Sequence, residues 1–274
     1  MWRSLLFVPI LNDRLVAGAP RRGADAIVLD LEASVPLDRK SEAQGIVAKI
    51  VSTLKRTDCE VTVRVNALSN GGDGDIAVAV EAGADVIVLP HATPEGVTAA
   101  ADIAGKTPLI PLIESPRGVI DALAIAEAAP STVALGLGVE DYAAEMGAPP
   151  TPDLLVPAAF QVIQAARATG RMPLIVPDTI ADYSDVSRFE AAARRARRMG
   201  AAGGFAIHPR QVEILNQVFT PTPEEHREAE EIVQAAEQAC QSGDGIATLD
   251  GRMIDAPVEA RARNVLAMRK RFAK

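Results

Sequence analysis

The chain has 274 residues, 48% of them hydrophobic but only 3% aromatic, and a formal charge of −8. That balance argues against a surface that tracks a phosphate backbone and against nucleic acid as a partner; the basic residues are dispersed or, as in Arg194-Arg195-Ala196-Arg197-Arg198, confined to one helix, where they read as a solvated face. Two cysteines, Cys59 and Cys240, without CxxC spacing exclude a disulfide framework or a zinc site and fit a reducing compartment.

Eight short apolar runs of strand length recur, at 4–9, 26–32, 61–66, 86–91, 108–114, 133–138, 173–177 and 203–208. Helical periodicity fills segments between them, such as 73–82, 94–103, 118–128, 154–169 and 186–199. The first run is too short to span a membrane and is followed by Asp13 and Arg14, with no small-residue cleavage site; no membrane partner and a cytoplasmic location are expected. The phrase helix, glycine, strand recurs at Gly23, Gly83 and Gly200, where glycine supplies a left-handed C-cap. That unit is the βα module of a parallel sheet with right-handed crossovers. Eight modules predict an α/β fold, a closed (β/α)₈ TIM barrel over residues 1–220.

A dinucleotide fold would carry Gly-x-Gly-x-x-Gly in its first βα turn, but the turn here is Ile10-Leu11-Asn12-Asp13. Gly136 and Gly138 lack the third glycine and run into Glu140 and Asp141. Residues 221–274 form a C-terminal extension: a polar helix at 223–241, a loop at 242–245, a short stretch at 246–248 and a last helix at 257–272. It is not needed to close a barrel and is expected to be a lid or a segment exchanged with a neighbouring subunit.

Chemistry in such a barrel sits at the C-terminal ends of the strands. There the chain places Asp30, Glu32, Arg64, Asn66, His91, Glu114, Glu140, Asp141, Asp178 and His208. Asp30 and Glu32 are placed to cap the next helix or to pair with Arg64. His208, restricted by Pro209, and His91 read as structural strand-end residues, and His226 falls on a polar helix. Glu114 and Asp141, at the ends of consecutive strands, are the candidate ligands of one hard divalent cation, since Mg²⁺ is usually held by one or two carboxylates plus substrate. Arg64 in so acidic a mouth must face anionic groups. A cation beside an arginine suits reactions that develop charge on an enolate oxygen, hence carbon–carbon bond cleavage or formation next to a carbonyl. No Lys ends a strand, which argues against a Schiff-base aldolase.

Together Arg3-Ser4-Leu5-Leu6-Phe7-Val8-Pro9, Asp30-Leu31-Glu32, Val63-Arg64-Val65-Asn66, Ile113-Glu114-Ser115, Glu140-Asp141-Tyr142, Ala206-Ile207-His208-Pro209 and Met253-Ile254-Asp255-Ala256-Pro257 resemble the citrate lyase β-subunit-like family of the HpcH/HpaI aldolase superfamily. The resemblance implies a (β/α)₈ barrel, Mg²⁺, a homotrimer or hexamer, and reversible cleavage of a 3-hydroxyacyl-CoA thioester such as citryl-, malyl- or citramalyl-CoA into a 2-oxo acid and an acyl-CoA. It implies Glu114 and Asp141 as metal ligands and Arg64 as the catalytic arginine that binds the 2-oxo acid carboxylate or enolate oxygen. Glu32 and Arg14 join it as substrate-binding residues, and Asp255 matches an acid that enters a neighbouring subunit's site and handles a proton. The chain departs from the family pattern at Ile10, Gly18 and Ala33, positions that bear on the CoA handle. Two alternatives therefore stand beside the thioester lyase: a class II metal-dependent aldolase acting on free 4-hydroxy-2-oxo acids, and a non-catalytic binding subunit.

Overall fold

Runs rich in Val, Ile and Leu with no polar face are stable as strands only when covered on both sides, which a parallel sheet wrapped by helices provides. The computed structural model describes residues 1–57, 59–242 and 246–272; of the predicted loop at 242–245, all but Ser242 lies outside the described residues. The strands are β1 (Ser4–Pro9), β2 (Ala26–Asp30), β3 (Glu60–Arg64), β4 (Val86–Leu89), β5 (Leu109–Ile113), β6 (Ala134–Leu137), β7 (Met172–Leu174) and β8 (Gly204–Ala206). They pair in parallel in the order β7-β6-β5-β4-β3-β2-β1-β8. A parallel bridge between Leu174 and Gly203 joins the two ends, so the sheet closes into the (β/α)₈ barrel that the alternation predicts.

The helices around the barrel are α1 (Asp13–Gly18), α2 (Lys40–Leu54), α3 (Gly72–Glu81), α4 (Pro94–Ala104), α5 (Pro116–Ile120), α6 (Ala122–Glu127), α7 (Val139–Glu145), α8 (Pro152–Ala168), α9 (Val186–Met199) and α10 (Pro209–Val218). The helix expected over 118–128 is two helices. Asp121 between them takes φ −88° and ψ 10°, which breaks the ladder, and its carboxylate accepts from Arg117.

Strand side chains alternate between faces. Leu5 and Phe7, Ala26 and Val28, Val86 and Val88, Ile110 and Leu112, Leu174 and Phe205 fill the barrel's interior. Two residues above Val28, Thr62 and Leu112 on the same face stand Asp30, Arg64 and Glu114. The alternation that packs the core thus delivers three charged groups to its C-terminal rim.

The chain divides into two compact units, Met1–Gln217 and Val218–Lys274. In the second, α11 (Pro223–Gln241) starts with a capping box between Thr222 and Glu225. An antiparallel hairpin follows, β9 (Ala247–Leu249) and β10 (Arg252–Ile254), turned by Asp250 and Gly251 at φ 51° and 74°, the left-handed pair that two-residue hairpins favour. The last helix, α12 (Ala256–Phe272), contributes Ala262 to a small core with Ala229 and Val233 of α11. Among the described residues no helix is long and apolar enough to cross a membrane.

Candidate active site

Arg64 at the end of β3 is held on three sides. Its Nε donates to Asp30 Oδ1 at 2.8 Å, its Nη1 lies 2.9 Å from Glu32 Oε2, and its guanidinium carbon sits 4.6 Å above the Phe7 ring, which stacks in turn on Phe205. Burial works against the guanidinium charge, but Asp30, Glu32 and Glu114 more than offset it and raise the Arg64 pKa. Asp30 also accepts from the Glu32 and Ser34 backbone N–H groups, each at 2.9 Å. Burial raises this carboxyl, and the Arg64 hydrogen bond and charge outweigh it, so Asp30 lies below its ordinary range. The guanidinium is therefore permanently charged and rigidly aimed, the condition for fixed recognition of an anion.

Glu114 lies one residue beyond β5 and is 4% exposed. Burial pushes its pKa up to about 7, against the His91 N–H and in concert with the nearby charges of Asp141 and Glu32. His91 reaches it by adopting φ 48°, a left-handed conformation that costs a non-glycine residue energy. Its N–H then donates to Glu114 Oε2 at 2.7 Å, while its ring spans Glu114 and Glu32 at 3.3 and 3.9 Å. The residue read as a plain strand-end histidine is thus a backbone clamp on the buried acid. Gly138 makes room for the same carboxylate: a Cβ there would stand 2.4 Å from Glu114 Cγ and 2.6 Å from Oε1.

Asp141 does not end a strand. Strand β6 stops at Leu137, and Asp141 is exposed on the first turn of α7 beside Glu140, where acids complement the helix dipole. Glu140 accepts from Thr179 Oγ1. Asp178 is bound by the Arg188 guanidinium, with Nε–Oδ2 2.9 Å, and Asn66 braces the β3–α3 loop through Asp75 at 2.9 Å and Lys40 at 2.7 Å. These last two groups stand at the rim for structural reasons.

A cavity of about 240 Å³ brings Arg64, Glu114, Glu140 and Asp141 together over an apolar floor that includes Leu112, Leu137, Leu174 and Phe205. A groove of about 810 Å³ adjoins it, sharing Phe7, Ala33, Arg64 and Ile180 and adding Arg22, Tyr183 and His208; there Tyr183 stacks on His208 with centroids 4.7 Å apart. Of the other predicted residues, Glu32 enters through Arg64, whereas Arg14 stands exposed on α1 and it is Arg22 that lines the groove beside Arg64. Asp255 belongs to the second unit, where its Oδ1 accepts from the Val258 N–H at 3.1 Å and caps α12.

The donor set suits a hard divalent cation. Among the described residues no three His, Cys, Asp or Glu side chains are placed to hold a metal, but two carboxylates with water and substrate are the usual share for Mg²⁺. A buried acid lifted to about 7 beside a second acid is a pair whose repulsion a dication relieves. Gly138→Ala is accordingly expected to displace Glu114 and weaken Mg²⁺ binding about tenfold or more in a calorimetric titration; wild-type affinity would contradict the assignment.

A sequence model of the family described as HpcH/HpaI aldolase/citrate lyase matches residues 3–209. The chain is 36% identical over 283 residues to citrate lyase subunit beta of Escherichia coli (strain K12), covering 97% of this chain and 92% of that one. It is 32% identical over 281 residues to (3S)-malyl-CoA thioesterase of Cereibacter sphaeroides (strain ATCC 17029 / ATH 2.4.9), covering 99% and 96%. Among solved structures it is similar to the CitE protein of Mycobacterium tuberculosis in complex with magnesium, acetoacetate and coenzyme A, with a TM-score of 0.74 and 27% identity over 97% of each chain.

Proposed function

Because the chain belongs to the HpcH/HpaI aldolase/citrate lyase family and is a lyase, we propose that it cleaves, reversibly and with Mg²⁺, a 3-hydroxyacyl-CoA thioester to a 2-oxo acid and an acyl-CoA. The observation that carries this reading is that Glu114, Asp141 and Arg64 line one cavity. Glu114 and Asp141 would hold the cation, which when bound supplies Lewis-acid polarisation of substrate oxygen. Arg64, fixed by Asp30 and Glu32, binds the substrate carboxylate and stabilises the negative charge that appears as the carbon–carbon bond breaks. The apolar floor and the burial of Glu114 and Arg64 lower the dielectric in which these two charges act.

The adjoining groove takes the CoA handle. Its volume of about 810 Å³ leaves room for a pantetheine arm, and Arg22 in its lining would face the phosphates. A Cβ at Gly18 would meet Arg22 Nη2 at 3.7 Å, so the arginine covers the place left by the departure at Gly18. Ile10 is fully buried and reaches no ligand; Arg14, adjacent to the groove-lining Leu15, supplies charge at its edge. The second unit serves as a lid or exchanged segment in a homotrimer or hexamer, with Asp255 handling a proton in a neighbouring copy's site.

The test is turnover of the full-length chain on malyl-, citramalyl- and citryl-CoA and on free 4-hydroxy-2-oxo acids. Cleavage of at least one thioester, abolished by EDTA and restored by Mg²⁺, is expected. Turnover of the free acids alone would establish the class II aldolase instead, and calorimetric binding without turnover of any compound would establish a binding subunit.

A further inference from the structure

We infer that the small cavity selects thioesters whose cleavage releases a 2-oxo acid with a single carboxylate and a small uncharged substituent, and rejects those that release a dicarboxylic 2-oxo acid. This rests on the lyase reading above and deepens it. Among the described residues that line the cavity, Arg64 is the only cation, set against Glu114, Glu140 and Asp141. It cannot turn toward a carboxylate on the β7 and β8 side, because Asp30 at 2.8 Å, Glu32 at 2.9 Å and the Phe7 ring at 4.6 Å fix its plane. Outside that lining, Arg188 grips Asp178 through two nitrogens, and Arg22 lines the adjoining groove.

On the β7 and β8 side the lining is apolar, whereas the charged groups come from β3, from the end of β5 and, for Glu140 and Asp141, from the first turn of α7. Arg64 comes from β3 and Glu114 from the end of β5, whereas β6, β7 and β8 present Leu137, Leu174 and Phe205, with Val176 just beyond β7. A substrate anchored by its carboxylate on Arg64, with its hydroxyl toward the acids, must turn its remaining substituent to that apolar wall. A hydrogen or a methyl group packs there. A carboxymethyl group would carry a carboxylate without a cationic partner against that apolar wall, and a desolvated charge without a partner is strongly disfavoured.

The chemistry is the same for every candidate, so the comparison isolates the pocket. The hydroxyl proton leaves, the carbon–oxygen double bond of the 2-oxo acid forms, and the pair of the breaking carbon–carbon bond passes to the thioester α-carbon as an enolate, which takes up a proton. No redox partner is required.

The experiment compares kcat/KM of the full-length protein in Mg²⁺ on citramalyl-CoA, which yields pyruvate, malyl-CoA, which yields glyoxylate, and citryl-CoA, which yields oxaloacetate. The first two are expected to exceed the third by about 100-fold; a preference below tenfold, or one favouring citryl-CoA, overturns the inference. A thermal-shift titration at fixed free Mg²⁺ with pyruvate and with oxaloacetate separates the two levels of the argument. If no thioester turns over but pyruvate protects at concentrations at least tenfold lower than oxaloacetate, the lyase reading fails and the selectivity stands. If the two acids protect alike, the selectivity fails.

Discussion

Glu114→Gln is expected to stabilise the metal-free protein at pH 8 while lowering its Mg²⁺-dependent turnover more than about 100-fold, since even outer-shell partners of a metal site are worth 10–100-fold. The opposite signs follow from burial. The Glu114 carboxyl has its folded-state pKa raised from 4.5 to about 7, so the folded chain binds this proton more tightly than the unfolded chain. Below the unfolded value both states are protonated and nothing is lost. Stability falls as pH rises from there, and above about 7 the full penalty applies, roughly 3 kcal/mol at 1.36 kcal/mol per unit. Glutamine keeps an oxygen to accept the 2.7 Å bond from the His91 N–H and carries no charge to desolvate. Denaturant titrations of wild type and variant without metal should coincide near pH 4.5 and diverge in the variant's favour by pH 8. Equal stabilities at pH 8 would mean that Glu114 is well solvated there.

The second large effect is expected at Arg64. Arg64→Ala should cost about 10³-fold in kcat/KM, the scale of losing a fixed donor to developing negative charge, and about 3 kcal/mol of stability, because it strands a buried carboxylate. Asp30, 3% exposed, keeps its bonds from Glu32 and Ser34 but loses the partner that holds its pKa down. A depressed carboxyl contributes stability above its unfolded pKa and loses it on acidification, so wild type and variant should converge toward pH 3 and separate above pH 5. Arg64→Lys retains charge but not the planar fork that meets Asp30 and Glu32 together, and should recover stability better than turnover. Wild-type kcat/KM in Arg64→Ala would exclude Arg64 from the reaction.

Much of this was legible from residue pattern. The strands are continuous β-branched and leucine runs, and their period of two carries Asp30, Arg64 and Glu114 to the rim with the same certainty that it buries Val28 and Leu112. What escaped depends on backbone conformation or on contacts distant in sequence. Asp141 reads as a strand end because the Gly136-Leu137-Gly138 run looks continuous, but β6 stops at Leu137 and the acid falls in the first turn of α7. Gly138 carries no local sign that its missing side chain is the space Glu114 occupies. His91 gives no hint of φ 48°, and no periodicity pairs Asp178 with Arg188 or stacks Tyr183 on His208. Arg22, four residues from the departure at Gly18, is visible as a groove residue only once the short α1 and the turn after it are folded.

The most direct measurement is a crystal structure of the full-length protein grown with Mg²⁺ and pyruvate. The account requires the cation between the Glu114 and Asp141 carboxylates, with the pyruvate carboxylate on the Arg64 guanidinium and its methyl against the Leu174 wall. A cation bound elsewhere, or pyruvate seated away from Arg64 with those two acids turned apart, would contradict it.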